Sequence, residues 1–516
     1  MITGRSLQSA PGGQGKQSRK VLKRSAWLAS ALLVVYAVLL IPVGEEKYTP
    51  TKAEQLQRPV FAWNQDAYWK TLETRYRTLK QGGCATAVPR LNAKFQDVNK
   101  ILSRLQQTRL RPAAPVYREL ESLVFEMGPM VSACHMRVMD YIALIAEMRS
   151  VIKQQSVEWD VHSAAVRTTL YRLLYGTRAA AEEVILQSPP GVVSPLVLGK
   201  NEPSQTPFAD VRNVRVHSGD ILVSRGGAPT SALIARGNDY PGNFSHIALV
   251  YINPDTHTPF IVEALIEEGV VVSTVEQYLK GKKLRVMLLR FRADLPQLRK
   301  DPMIPHKAAL RAYTQATTGH VPYDFEMNYE DHRKLFCSEV ASAAYEPFGI
   351  TLWAGISHIS SPGLRRWLSA FGVRYFKTQE PSDLEYDPQL TVVAEWRSQE
   401  TLKQDHYDNA VTDAMLEGAE RGDEPGYRLY LLPLARMAKA YSAILNSMGK
   451  VGPIPEGMSS YVALRSIWYA KKHDRIATEL ARKAAAFKRK NGYVPPYWEL
   501  LRLARSAEQE VESGSE

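Results

Sequence analysis

The spacing of apolar residues changes twice along the chain and divides it into three stretches. From about Trp63 to Gln187 they recur at three and four, as in Trp69, Leu72, Tyr76 and Leu79, then Leu91, Phe95, Val98, Leu102 and Leu105. That is the period of a half-buried helix. A break at Arg111-Pro112-Ala113-Ala114-Pro115 precedes further helical runs over 116–155 and 157–186, so residues 61–190 are predicted to form an antiparallel helical bundle. Beyond Pro189-Pro190-Gly191 the runs shorten and become rich in Val and Ile. They fall at 220–223, 246–252, 260–265, 270–273, 284–291 and 391–396, with Gly, Pro and Asn between them. Helices are predicted over 305–317 and 337–348, the second closed by Gly349. Residues 205–397 are therefore expected to form an α+β unit around a small antiparallel sheet or barrel. Helical spacing returns near 406–421, 427–448 and 459–488, which makes 398–516 a helical C-terminal region with a frayed acidic tail from Glu508.

One segment fits none of these textures. Residues 26–43 are apolar without an internal charge and follow a basic flank. At about 1.5 Å per residue such a helix nearly crosses a hydrocarbon core roughly 30 Å thick. The run outlasts the ~7–15 residues of a signal-peptide core and no A-x-A cleavage site follows it. A single transmembrane anchor over 26–43 is the expectation, with residues 1–25 as an irregular cytoplasmic tail and 44–60 as a linker. The basic flank stays inside, which places the bulk of the chain in the periplasm, outside a bacterial inner membrane.

Composition adds less than position. The formal charge is +12, but the excess of Lys and Arg lies in residues 1–24 and 471–490, so the middle of the chain offers no nucleic-acid surface by charge. The three cysteines are more informative. Cys84 and Cys134 both fall in the helical stretch, where an oxidising compartment can join them. Cys337 is left over, and an odd cysteine in an exported protein marks a reactive thiol.

Cys337 opens the predicted helix after Phe336, where the helix dipole favours a thiolate. His246 opens an apolar strand, where a general base can face a cleft. Glu263 sits inside Ile261-Val262-Glu263-Ala264-Leu265, and a carboxylate in so apolar a run needs a partner. If the two strands pair, Glu263 can orient the imidazole of His246. No phosphate-binding loop, H-E-x-x-H motif or zinc-spaced cysteine pair occurs, and no cofactor or metal is expected.

The order Gly219-Asp220-Ile221, Ser245-His246-Ile247-Ala248, Val262-Glu263-Ala264, Gly269-Val270, Tyr323-Asp324-Phe325 and Phe336-Cys337-Ser338-Glu339 resembles the permuted papain-like amidases of the YiiX type, within the NlpC-type cysteine peptidase superfamily. In that branch histidine precedes cysteine, as here. The resemblance spans about residues 211–397. It implies Cys337 as nucleophile, His246 as base, Glu263 as third residue, and a substrate cleft beside Tyr323 and Asp324. The compartment and the superfamily together favour cell-wall peptide amides as substrate. A lipid acyl hydrolase or transferase on the same triad is an alternative, as is a non-catalytic scaffold that binds peptides.

Overall fold

The structure is a computed structural model that describes residues 14–41 and 66–513. The expected linker over 44–60 and the end of the apolar run at Pro42 and Val43 lie outside the described residues. Helix α1 is Gln14–Leu40; the basic flank expected to be irregular is helical from Gln14 onward. Among the described residues, no helix is long and apolar enough to cross a membrane.

The bundle comprises α2 (Asp66–Gly82), α3 (Cys84–Gln107), α4 (Pro115–Ala133), α5 (Val138–Gln155), α6 (Ala164–Tyr171) and α7 (Thr177–Gln187). The run expected over 116–155 is two helices, because the chain turns at Cys134. The predicted stripe does become the core: Leu91, Val98, Leu102 and Leu105 of α3 pack on Leu120, Val124 and Met127 of α4. Cys84 and Cys134 are joined by a disulfide that ties the start of α3 to the end of α4.

The α+β unit begins with β1 (Leu196–Leu198), the hairpin β2 (Phe208–Val211) and β3 (Val214–His217), then β4 (Ile221–Gly226) and α8 (Pro229–Arg236). It continues through β5 (His246–Ile252), β6 (Pro259–Leu265), β7 (Gly269–Thr274), α9 (Val275–Lys280), β8 (Lys283–Phe291), α10 (Pro296–Lys300) and α11 (Ile304–Thr318). Then come α12 (Cys337–Tyr345), β9 (Ser357–His358), α13 (Pro362–Ala370), β10 (Lys377–Thr378) and β11 (Leu390–Arg397). Seven strands form one open antiparallel sheet in the order β1-β11-β8-β4-β5-β6-β7, rather than a closed barrel. Its strands read as continuous apolar runs because both faces are covered. Ile247, Leu249 and Met287 face Ala308 of α11 and Val340 of α12. Ala248, Val250 and Leu288 face Val216 and Tyr278.

Two glycines of the motif sequence hold the starts of strands β4 and β7 in place. Gly219 has φ 93°, and a Cβ there would lie 2.3 Å from Pro305. Gly269 has φ 78°, and a Cβ would meet the Val321 carbonyl. Neither position admits a side chain without moving the backbone.

The C-terminal region consists of α14 (Gln399–Arg421), α15 (Leu432–Ser447), α16 (Ser460–Asn491) and α17 (Tyr497–Ser513). The tail expected to fray from Glu508 is helical to Ser513, because Glu508 is buried against Arg421 and Lys472. These helices pack on α8 and α13 through Leu233, Leu364, Trp367, Val411, Met415 and Tyr469.

Buried charges run between the three stretches. Arg225 of β4 and Arg285 of β8, both fully buried, share Asp405 of α14, and Arg285 also binds Glu182 of α7 at 2.5 Å. Arg178 of α7 pairs with Glu182 and with Glu385. Sheet, bundle and C-terminal helices therefore neutralise one another's charges, since a buried charge without a partner is strongly destabilising.

Candidate active site

Cys337 is the first residue of α12, and Phe336 before it is extended. Glu339 reaches back so that its Oε2 accepts the Phe336 N–H at 3.0 Å, satisfying a backbone group that the helix leaves open. Glu339 is fully buried, and burial pushes its carboxyl up to about 9, so at neutral pH it caps the helix as an acid without charge.

The sulfur of Cys337 lies 3.9 Å from the Ser245 carbonyl, against the chain that leads into β5. Burial pushes its thiol up to about 11; the backbone N–H groups of Ile247 and Ser338 work against this, and the charge of Glu380 adds to it. The helix-mouth position was expected to favour a thiolate. Desolvation outweighs the dipole here, and the resting group is a thiol.

His246 opens β5. Antiparallel pairing sets Glu263 of β6 opposite Ala248, on the same face of the sheet as His246 and diagonal to it. The imidazole Nε2 is 2.8 Å from Glu263 Oε2, and Ser273 Oγ of β7 donates to Oε1 at 2.8 Å. Both carboxylate oxygens are thus satisfied in an apolar sheet. Burial lowers the His246 pKa below the usual histidine value, Glu263 opposes this, and Lys283 adds to it. Burial alone would raise Glu263, but its bond to His246, the charge of Lys283 and the Ser273 hydroxyl bring it below the usual range. The pair at neutral pH is therefore a carboxylate and a neutral imidazole whose Nε2–H is donated to it. Nδ1 is left as the acceptor.

Lys283 packs over the ring of Tyr278 at 4.2 Å, and that ring stands 6.5 Å from His246. Lys283 adds to the electrostatics of the couple, Tyr278 stands against it as an uncharged ring, and neither carried a sequence signal. Ser273 could have been found only from the β6–β7 register, in which Val271 faces Glu263.

Beside Cys337 is a cavity of about 120 Å³. Leu233 and Ile234 of α8, Tyr323, Phe325, Leu368 and Phe371, and Met458, Val462 and Tyr469 from the C-terminal region line it, with Thr230, Asp324, Glu380 and Ser466 as its polar members. Tyr323 stands in this wall. Asp324 does too, but its oxygens accept the backbone N–H groups of Glu326 at 3.0 Å and Asn328 at 2.6 Å, so its carboxyl folds the loop. Glu380, absent from the sequence expectations, is 3% exposed, with no partner for Oε2 among the described residues. Burial holds its carboxyl well above the usual range.

A thiol at a helix mouth, its sulfur 3.9 Å from the carbonyl of the residue that precedes His246, and a histidine–carboxylate couple on earlier strands are the residue types a permuted papain-like enzyme uses. Residues 215–394, well under half of the chain, match the family described as permuted papain-like amidase enzyme, YaeF/YiiX, C92 family. Neither a curated protein nor a solved structure matches the chain.

Proposed function

We propose that the chain is a membrane-anchored cysteine hydrolase of the periplasmic side of a bacterial inner membrane, which forms a thioester on Cys337. The observation that carries this reading is the couple His246–Glu263, braced by Ser273, on the strand whose preceding residue, Ser245, has its carbonyl 3.9 Å from the Cys337 sulfur. His246 Nδ1 takes the thiol proton as Sγ attacks the substrate carbonyl carbon. First-turn N–H groups of α12 receive the developing oxyanion. The proton then passes to the leaving amine or alkoxide, and the thioester forms as the C–N or C–O bond breaks. Water, deprotonated by His246, hydrolyses the thioester and restores the thiol.

The lining of the cavity bears on the substrate. A cell-wall peptide would need polar groups along the cleft, whereas most of this wall is Leu, Ile, Val, Phe and Met. That favours an apolar acyl group, held as an amide or ester, over wall peptide. A purely binding role leaves the His–Glu–Ser array without a purpose.

The full chain in detergent, incubated separately with phospholipids, N-acyl amides and muropeptides, tests this by mass spectrometry. Release of a fatty acid from the first two, lost in Cys337→Ala, is expected. Release from muropeptides alone overturns the substrate class, and product from none overturns the hydrolase.

A further inference from the structure

Helix α15 is amphipathic in an unusual sense. Its inner face, Leu432, Ala435 and Ser442, is buried, with Leu432 and Ala435 packed on Tyr461 and Leu464 of α16. Its outer face presents Leu434, Met437, Tyr441 and Ile444, with Met448 just past its end, each between 56% and 60% exposed. Their spacing of three and four aligns them in one stripe. Tyr430 and Val451 extend it at either end, 54% and 52% exposed. A continuous apolar stripe of this length is uncommon on a free protein surface.

Two further observations indicate what covers it. The stripe adjoins α1, whose own apolar side chains Trp27, Leu28, Leu32, Leu33 and Val38 are exposed. The Tyr36 hydroxyl donates to the Tyr430 carbonyl at 2.8 Å, and Arg436 Nη1 donates to the Leu39 carbonyl at 2.8 Å. From Pro425 to Pro455 the chain also carries Arg428, Arg436, Lys439 and Lys450 but no Asp or Glu. Such a charge pattern suits anionic headgroups and would repel a second copy of itself.

We propose that the outer face of α15 lies in the boundary between headgroups and acyl chains of a bilayer containing anionic lipid, alongside α1. This rests on the anchoring part of the proposed function. It adds a second contact, which fixes how the domain stands on the membrane. The α15–α16 hairpin also lines the active-site cavity, through Met458 in the turn and Val462 and Ser466 of α16. The same hairpin thus meets lipid on one side and borders the cavity beside Cys337 on the other, which brings a lipid-borne acyl group to the thiol.

The test uses the full chain reconstituted in vesicles of phosphatidylethanolamine and phosphatidylglycerol that carry a diazirine-tagged phospholipid. After photolysis, labelled peptides are mapped by mass spectrometry. Label on the α15 stripe as well as on α1 is expected, and Met437→Glu/Ile444→Glu should lose the α15 label while keeping that on α1. These side chains are exposed, so the exchange leaves the core intact. Label on α1 alone overturns the proposal but leaves the anchor standing, and label on neither overturns both. A cross-link between the α15 helices of two chains, with no lipid label on the stripe, overturns it in favour of self-association. Hydrolysis of a water-soluble acyl substrate is measured in parallel and reports on the catalytic reading alone.

Discussion

At the scale of single residues, environment decides what each ionisable group does. Burial keeps Cys337 protonated, with its thiol pushed up to about 11, and keeps His246 neutral, below its ordinary value. Reaction with iodoacetamide at pH 7 should therefore be slower than for a free thiol and should rise towards a midpoint near 11. Rapid labelling at neutral pH would contradict the buried thiol. Hydrolysis needs the unprotonated imidazole, and a depressed histidine pKa confines its loss to acid. The rate should hold from neutrality down to below the ordinary histidine range and fall only as pH drops further, as a pH profile of kcat/KM would show. Replacing Glu263 with Gln removes the charge that stabilises the imidazolium formed during attack. It should lower kcat by about 10²-fold or more with little change in KM. Cys337, His246 and Glu263 were legible because each breaks its local pattern: a helix-mouth thiol, a strand-mouth histidine and a carboxylate in an apolar run. Glu380 and Lys283 were not, because what matters in them is the electrostatic effect on a thiol that lies far away in sequence.

At the scale of elements, periodicity located the long helices and the principal strands, but not where tertiary contacts interrupt them. The break between α4 and α5 falls at Cys134, where the disulfide holds the chain, and nothing in the apolar spacing marks it. The short strands β1, β9 and β10 contain three residues or fewer and leave too little pattern to read. Closing 50 residues of chain, the Cys84–Cys134 bond should stabilise the bundle by up to about 4 kcal/mol through loop entropy. Thermal unfolding with and without reductant measures it, and an unchanged Tm would show that the loop is held by packing alone. Gly219→Ala should also destabilise, since its Cβ would meet Pro305 at the end of the sheet.

At the scale of the whole molecule, the three stretches seen in the sequence share a buried ionic core. Asp405 of α14 neutralises Arg225 and Arg285 in the centre of the sheet, and Glu182 of α7 completes the cluster. Asp405→Ala leaves two guanidinium groups short of a buried counter-charge and should cost about 3–5 kcal/mol, measured by denaturant unfolding. A loss below 1 kcal/mol would mean that water or Glu182 alone suffices. The sequence could not show this cluster, because each charge reads singly as a polar position and the partners lie on different elements. The same interlocking brings α16 close to Cys337, so residues of the C-terminal helices line the cavity beside it.

The central claim is acyl transfer through Cys337, and trapping the intermediate tests it most directly. The full chain is mixed with a long-chain acyl ester, quenched in acid within the first turnovers and analysed by intact mass and peptide mapping. A mass increase equal to the acyl group, placed on Cys337, labile to hydroxylamine and absent from Cys337→Ala, is the predicted result. Turnover that continues unchanged in Cys337→Ala, or an acyl group found on another residue, would contradict it.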